Sequence, residues 1–238
     1  MHTSVDRVTS AIDTILARIH SGEFPVGEAL PPEADLATML EVSRPTMREA
    51  VRSLSTKGVL RVIHGRGTFV NPVASWTDLP AVVEALGRSQ SPREIGLQLI
   101  ELRRMIEVGA CGLAARNRTD DDIAVLTELL TMFEDAAETG DIDTIAKADL
   151  AFHTTILEAS ANPFLSVIMH PLQDALSASR KQTSADSRIR RRAAEHHRII
   201  LSAIIDGDEA RAKDAMRKHM TQTRDDIAAY LPDQPVAD

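Results

Sequence analysis

Cysteine and aromatic residues are nearly absent from this chain of 238 residues, which has one Cys, one Trp, one Tyr and five Phe. The lone Cys111 excludes an intramolecular disulfide framework. Its place in an apolar helical run marks it as a small buried core residue. Strand-like alternation is scarce outside one short stretch, so a mostly helical fold is expected. No window approaches the about 18 consecutive apolar residues that a membrane span needs. Asp6, Arg7 and Asp13 interrupt any apolar signal-peptide region, and a cytoplasmic location is the expectation. No internal repeat is visible. The length allows one large core or two modest ones.

Basic residues are outnumbered, and the formal net charge is −8. That sign disfavours nucleic-acid binding until the charge is divided along the chain. Residues 1–75 hold eight Lys/Arg and eight Asp/Glu, so the whole deficit lies beyond them. Within 41–70 there are six basic and two acidic residues. A local basic footprint on an acidic chain supports specific DNA contact while repelling DNA elsewhere.

That basic stretch sits in LPPEADLATMLEVSRPTMREAVRSLSTKGVLRVIHGRGTFV, residues 30–70. A first helix is expected at Glu33–Leu40, after Pro31-Pro32. Glu41-Val42-Ser43 is the turn, and Ser43 is a natural N-cap for a second helix at Arg44–Ser55. Met47, Ala50, Val51 and Leu54 fall at core spacing on that helix, with Arg44, Arg48 and Arg52 forming a stripe beside them. Gly58 stops it. Val59–Ile63 and Thr68–Val70 are β runs around a hairpin tip, His64-Gly65-Arg66-Gly67. Helix, cap, stop and basic hairpin in this order resemble the winged helix-turn-helix of the GntR family of bacterial regulators over residues 5–71. The resemblance implies a double-stranded DNA operator as partner. Arg44 and Arg48 would then reach guanine or phosphate. Ser43 and Thr46 would hold phosphates, and the wing, His64 to Gly67, would approach the minor groove. Ala34 departs from relatives that carry a DNA-touching arginine there. One short recognition helix reads few base pairs, so a homodimer on a palindromic operator is expected.

A first amphipathic helix, marked by Val5, Val8, Ile12, Leu16 and Ile19, precedes this unit and ends near Gly22. Residues 72–77 read as a linker. Helical patterns follow at 79–86, 93–116, 120–138, 143–160, 164–180, 187–205 and 208–230, which predicts an antiparallel bundle of six or seven helices over 78–230. Residues 231–238 read as a frayed tail.

Four polar residues of that bundle stand where apolar ones belong. Asp149 and His153 share a helix face at i,i+4. His197 lies on the stripe Ile189, Ala193, Ile200, Ile204, and His219 lies with Ala212, Ala215, Met216 and Ile227. Any one histidine could be a hydrogen-bonded core residue, but together the four offer a divalent metal three nitrogens and a carboxylate. Burying them without partners would cost on the order of 2–7 kcal/mol each. His196 is the rival of His197 and points about 100° away. His2, His20 and His170 have no comparable partners.

DLAFHTTILEASAN and HRIILSAIIDGDEARAKDAMRKHM resemble the FCD-type ligand-binding domain of the family's FadR branch. That resemblance implies a metal held by Asp149, His153, His197 and His219. It also implies an effector-facing arginine at Arg103, whose alternative is a surface salt bridge with Glu107. Arg104 is the neighbour expected to face solvent. The donor set suits Zn, Ni, Mn, Co or Fe without choosing among them. The expected function is a ligand-responsive transcriptional regulator, a repressor, sensing a small organic acid at the metal. The alternatives are a regulator for which the ion itself is the signal and a metal-dependent hydrolase fused to a DNA-binding domain. The hydrolase reading lacks a carboxylate–histidine motif beyond the ligands to serve as base.

Overall fold

The protein's structure is a computed structural model that describes residues 4–87 and 89–234. His2, residues 235–238 of the expected tail and the side chain of Val5 lie outside the described residues. The chain divides into two compact units, Met1–Arg88 and Ser89–Asp238.

In the first unit, α1 (Ser4–His20), α2 (Glu33–Met39) and α3 (Arg44–Thr56) precede a hairpin of β1 (Leu60–Ile63) and β2 (Gly67–Val70). Ser43 caps α3 by accepting from Thr46 N at 3.2 Å. The apolar face of α3 is buried as its spacing requires, at Met47, Ala50, Val51 and Leu54. Glu41 adopts φ 53°, a left-handed step that turns the chain sharply from α2 to α3. β1 and β2 pair antiparallel from Leu60↔Val70 to Ile63↔Gly67.

The expected linker is part of this unit. Trp76 is buried, and its Nε1 donates to Asn71 O at 3.0 Å. Thr77 N donates to Lys57 O at 2.9 Å. The next helix, α4 (Leu79–Leu86), contributes Ala81 to the same core. The end of the wing at Asn71-Pro72 suggested a spacer over 72–77. The single tryptophan instead brings enough apolar surface to fold the segment down.

The second unit is helical throughout its described elements: α5 (Pro92–Asn117), α6 (Asp120–Thr139), α7 (Ile142–Ala159), α8 (Pro163–Ser184), α9 (Ser187–Asp206) and α10 (Glu209–Tyr230). Six helices stand where six or seven were expected, because α4 belongs to the first unit. Their starts are written in the sequence. Ser91/Glu94 and Thr119/Asp122 form capping boxes, and Asp141, Asn162, Asp186 and Asp208 cap α7 to α10. Ile100, Cys111, Leu126, Phe152, Ile156, Ile200, Met216 and Ile227 are among the core residues these helices share. Burial pushes the Cys111 thiol up to about 12, so it is inert.

Residues 231–233 are not a frayed end. Leu231 is buried. Arg93 Nε donates to Leu231 O, and Arg93 N to Pro232 O, each at 3.1 Å. Arg93 also pairs with Asp233 at 3.0 Å. The contact fixes the end of α10 against the start of α5, so these two helices run antiparallel. No described helix is long and apolar enough to cross a membrane.

Gly58 sets the exit from α3. It adopts φ 72°, and a Cβ there would meet Ser75 O at 2.5 Å. Gly58→Ala should therefore destabilise the protein by about 2 kcal/mol or more, combining left-handed strain with a backbone clash. A lowered denaturation midpoint is the expected reading, and an unchanged one would contradict the close approach.

Candidate DNA-reading surface and candidate metal centre

The residues expected to touch DNA are presented outward by a packed frame. Arg44, Arg48 and Arg52 are exposed along α3, while Met47, Ala50 and Val51 anchor the opposite face. The contact of Arg48 with Glu33 is 3.6 Å between exposed groups; such pairs are worth little and yield easily to a phosphate. Ser43 is exposed and Thr46 half-buried, and their hydroxyls lie 2.8 Å apart at the helix N-terminus. His64, Gly65, Arg66 and Gly67 are all exposed at the hairpin tip. A Cβ at either glycine would meet nothing within 4 Å, so the tip is bare backbone. Ala34 is half-buried on α2.

In the second unit α7, α9 and α10 bring together the four residues singled out by their misplaced polarity. Asp149, His153, His197 and His219 each offer a ligand atom, all within 4.8 Å of one another. His153 Nε2 faces His219 Nε2 at 3.3 Å. Asp149 Oδ1 lies 3.4 Å from His197 Nε2 and 3.8 Å from His153 Nε2. His197 is fully buried, stacked on Phe152 at 4.5 Å and edge-on to Phe133 at 5.1 Å. His196 is only half-buried and stays outside the group. His20 instead pairs with Glu84 at 3.2 Å in the first unit.

The group passes a test of fit for a cation. His197 Nε2, 3.4 Å from Asp149 Oδ1, is buried without a hydrogen-bond partner. Such orphans cost free energy unless a bound group satisfies them. Burial drives the His197 imidazole down to about 3, outweighing the pull of Asp149, and drives His219 well below its usual range. Both are thus neutral imidazoles with lone pairs, the form a metal needs. Burial would raise Asp149, but the Arg180 guanidinium holds its carboxyl below the ordinary range. It stays ionised.

Two buried ion pairs stand behind the donors. Arg103 Nε binds Glu107 Oε1 at 2.6 Å, and His153 Nδ1 lies 2.6 Å from Glu107 Oε2. That contact commits Nδ1 to the carboxylate and leaves Nε2 for the centre, an arrangement that orients a metal-ligating histidine. Against its burial, Arg103 and His153 keep Glu107 well below its usual range. On the other side, Arg180 Nε lies 2.7 Å from Asp149 Oδ2. The Arg103–Glu107 pair is therefore real but buried, where the sequence suggested a surface bridge or an effector contact. The guanidinium also lines a cavity of about 50 Å³, together with Asp149, Arg180, His219 and Gln222. Arg104 is half-buried.

Arg180 escaped sequence reasoning because SRKQT looks like a solvated basic stretch. A signal existed: Met169, Leu172 and Leu176 are buried, and Arg180 follows them at helical spacing on α8. Glu107 was visible only as the partner of Arg103, although Ile100, Arg103, Glu107, Cys111 and Ala114 form one buried stripe of α5.

Comparison with known proteins agrees with both halves. Residues 8–70 match the family model of bacterial regulatory proteins, gntR family, and residues 98–222 match the FCD domain. The chain is 29% identical over 220 residues to the HTH-type transcriptional regulator LutR of Bacillus subtilis, covering 90% of this chain and 97% of that protein. It is 29% identical over 227 residues to the putative L-lactate dehydrogenase operon regulatory protein of Escherichia coli, covering 93% and 86%. Among solved structures, Streptococcus agalactiae GntR is 31% identical with a TM-score of 0.52, covering 92% of this chain and 99% of that one.

His197→Ala and His219→Ala should each weaken divalent-metal binding by at least about 100-fold. They should also abolish any metal-dependent rise in Tm. Metal content and melting of the purified variants check this, and parental metal content in either would remove that histidine from the group.

Proposed function

Because the chain belongs to the GntR family of bacterial regulatory proteins and carries an FCD domain, we propose that it is a transcriptional repressor controlled by a small organic acid. The acid would bind at a divalent ion held by Asp149, His153, His197 and His219. One observation carries the reading. A buried group of three imidazoles and a carboxylate opens on a small cavity that two buried guanidiniums also line. Cations around a space of this size favour a compact anion. At about 10–15 Å³ per water-sized position, the cavity's volume suits a few heavy atoms and not a sugar chain or a peptide. The Escherichia coli relative, named for an L-lactate dehydrogenase operon, points to the same chemical class.

When bound, the ion would supply a charge-dense partner for a carboxylate or hydroxyl oxygen. The chain's own residues do the rest. Glu107 fixes the ring of His153, Arg103 holds Glu107 in place, and the Phe152 and Phe133 rings wall off His197 from water. Arg103 keeps one guanidinium edge for the acid, since Nε and Nη2 are taken by Glu107. On the DNA side, α3 enters the major groove with Arg44 and Arg48 as base or phosphate contacts, and the tip 64–67 follows the minor groove. Two copies would bind a palindromic operator. The acid changes operator affinity only by preferring one arrangement of the DNA-reading units, with a coupling of about 1–3 kcal/mol.

A thermal-shift panel of small carboxylates on metal-loaded and chelator-stripped protein tests the effector. Stabilisation by an acid that requires the metal is expected. A metal-dependent Tm with no response to any acid would leave the ion itself as the signal. Arg48→Ala should lose operator binding by about 10-fold or more while keeping fold and metal. Unimpaired operator affinity in an electrophoretic shift would remove α3 from the DNA contact.

A further inference from the structure

Arg180 is a buried cation of the second unit whose contact with the effector the reading above does not specify. Its guanidinium sits at the end of the buried stripe of α8 and is itself 9% exposed. Nε lies 2.7 Å from Asp149 Oδ2 as an ion-pair contact, and both Nε and Nη1 are buried without a hydrogen bond. A guanidinium is always charged and carries five donors. Leaving one edge orphaned beside a cavity is costly unless something fills it.

The charge around the cavity sets what that something is. Arg103, Arg180 and Arg190 line it with Asp149 and Asp226, and behind these Glu107 pairs with Arg103 while Arg192 pairs with Asp226 at 2.5 Å. Four guanidiniums therefore face three carboxylates. Arg190 spends Nη1 on the carbonyls of Ser184 and Ala185, at 2.8 and 2.9 Å, so it caps α8 and is not free to move inward. A divalent ion at the four donors would add two more positive charges. A single carboxylate would leave most of that excess uncompensated. Two carboxylates offset it far better.

We propose that Arg180 is a second anion-recognition residue, and that the effector is a small dicarboxylate with one carboxylate at the ion and Arg103 and the other on the free edge of Arg180. This rests on the organic-acid reading of the site and narrows it to one class of acid. The geometry suits the assignment, since Asp149 divides its two oxygens between the histidines and Arg180. The same carboxylate thereby holds both the ion and the guanidinium in register, and the distance between the effector's two acidic groups becomes the property the site measures.

The test uses the full chain loaded with Zn²⁺ and four acids in matched pairs, L-malate against L-lactate and malonate against propionate. Binding is read by calorimetry and metal content by atomic absorption. The dicarboxylates should bind at least about tenfold tighter than their partners. Arg180→Gln should lose about tenfold for the dicarboxylates, change the monocarboxylates by less than about threefold, and keep its zinc. Arg180→Lys, which keeps the charge but not the fork, should retain part of the preference. Equal binding of both classes by the parent overturns the inference while leaving the organic-acid reading intact. So does an Arg180→Gln protein that loses zinc, since Arg180 would then only hold Asp149. A parent that binds none of the four acids removes the organic-acid reading itself, and this inference with it.

Discussion

The second unit depends on one constraint: ionised groups buried in a helical core must neutralise one another. Asp149, Glu107, Arg103 and Arg180 lie among apolar helices where an isolated charge would cost many kcal/mol. Each is paired, and each pair also touches a donor of the candidate metal centre. Removing one partner would leave its mate uncompensated, which is why the cluster is a framework as well as a site. The flanking core supports it: Phe152 and Phe133 fix the ring of His197, and the caps of α7, α9 and α10 set the helix starts that bring Asp149, His197 and His219 together.

The first unit solves a different problem. Its cations must be solvent-facing and free, so their placement comes from what lies behind them. Four apolar residues of α3 fix its rotation, Ser43 fixes its start and Gly58 its end. The arginines inherit their direction from those anchors. Among the described residues the one ion pair these arginines make, Arg48 with Glu33, is long and exposed, too weak to compete with a phosphate. One unit therefore keeps charge outside, where a polyanion can reach it, and the other keeps it inside, paired around a small cavity.

Most helix boundaries were legible because they are local. Ser91-Pro92, Thr119, Gly140, Asn162-Pro163 and Gly207 are caps and stops whose chemistry acts over a few residues. The four donors were legible for a related reason: a histidine or aspartate on an apolar stripe conflicts with its neighbours, and the conflict shows in the pattern alone. The fate of 72–77 and 231–233 was not legible. Trp76 and Leu231 lie in short segments without a helical pattern of their own, and contacts with other parts of the chain give them a core to enter.

The sequence by itself determined the helical class, the order of helices, the winged helix-turn-helix and the identity of the four candidate ligands. The helices follow from spacing, capping and composition, which are properties of neighbouring residues; the winged helix-turn-helix and the ligand set also rest on the family resemblance. Tertiary structure alone decided that Arg103 and Glu107 pair inside the core instead of on the surface. It also decided that Glu107 commits one nitrogen of His153, and that Arg180 comes from α8 to face Asp149. A charged residue's cost or value depends on the dielectric and partners around it, and those are set by helices far apart in the chain.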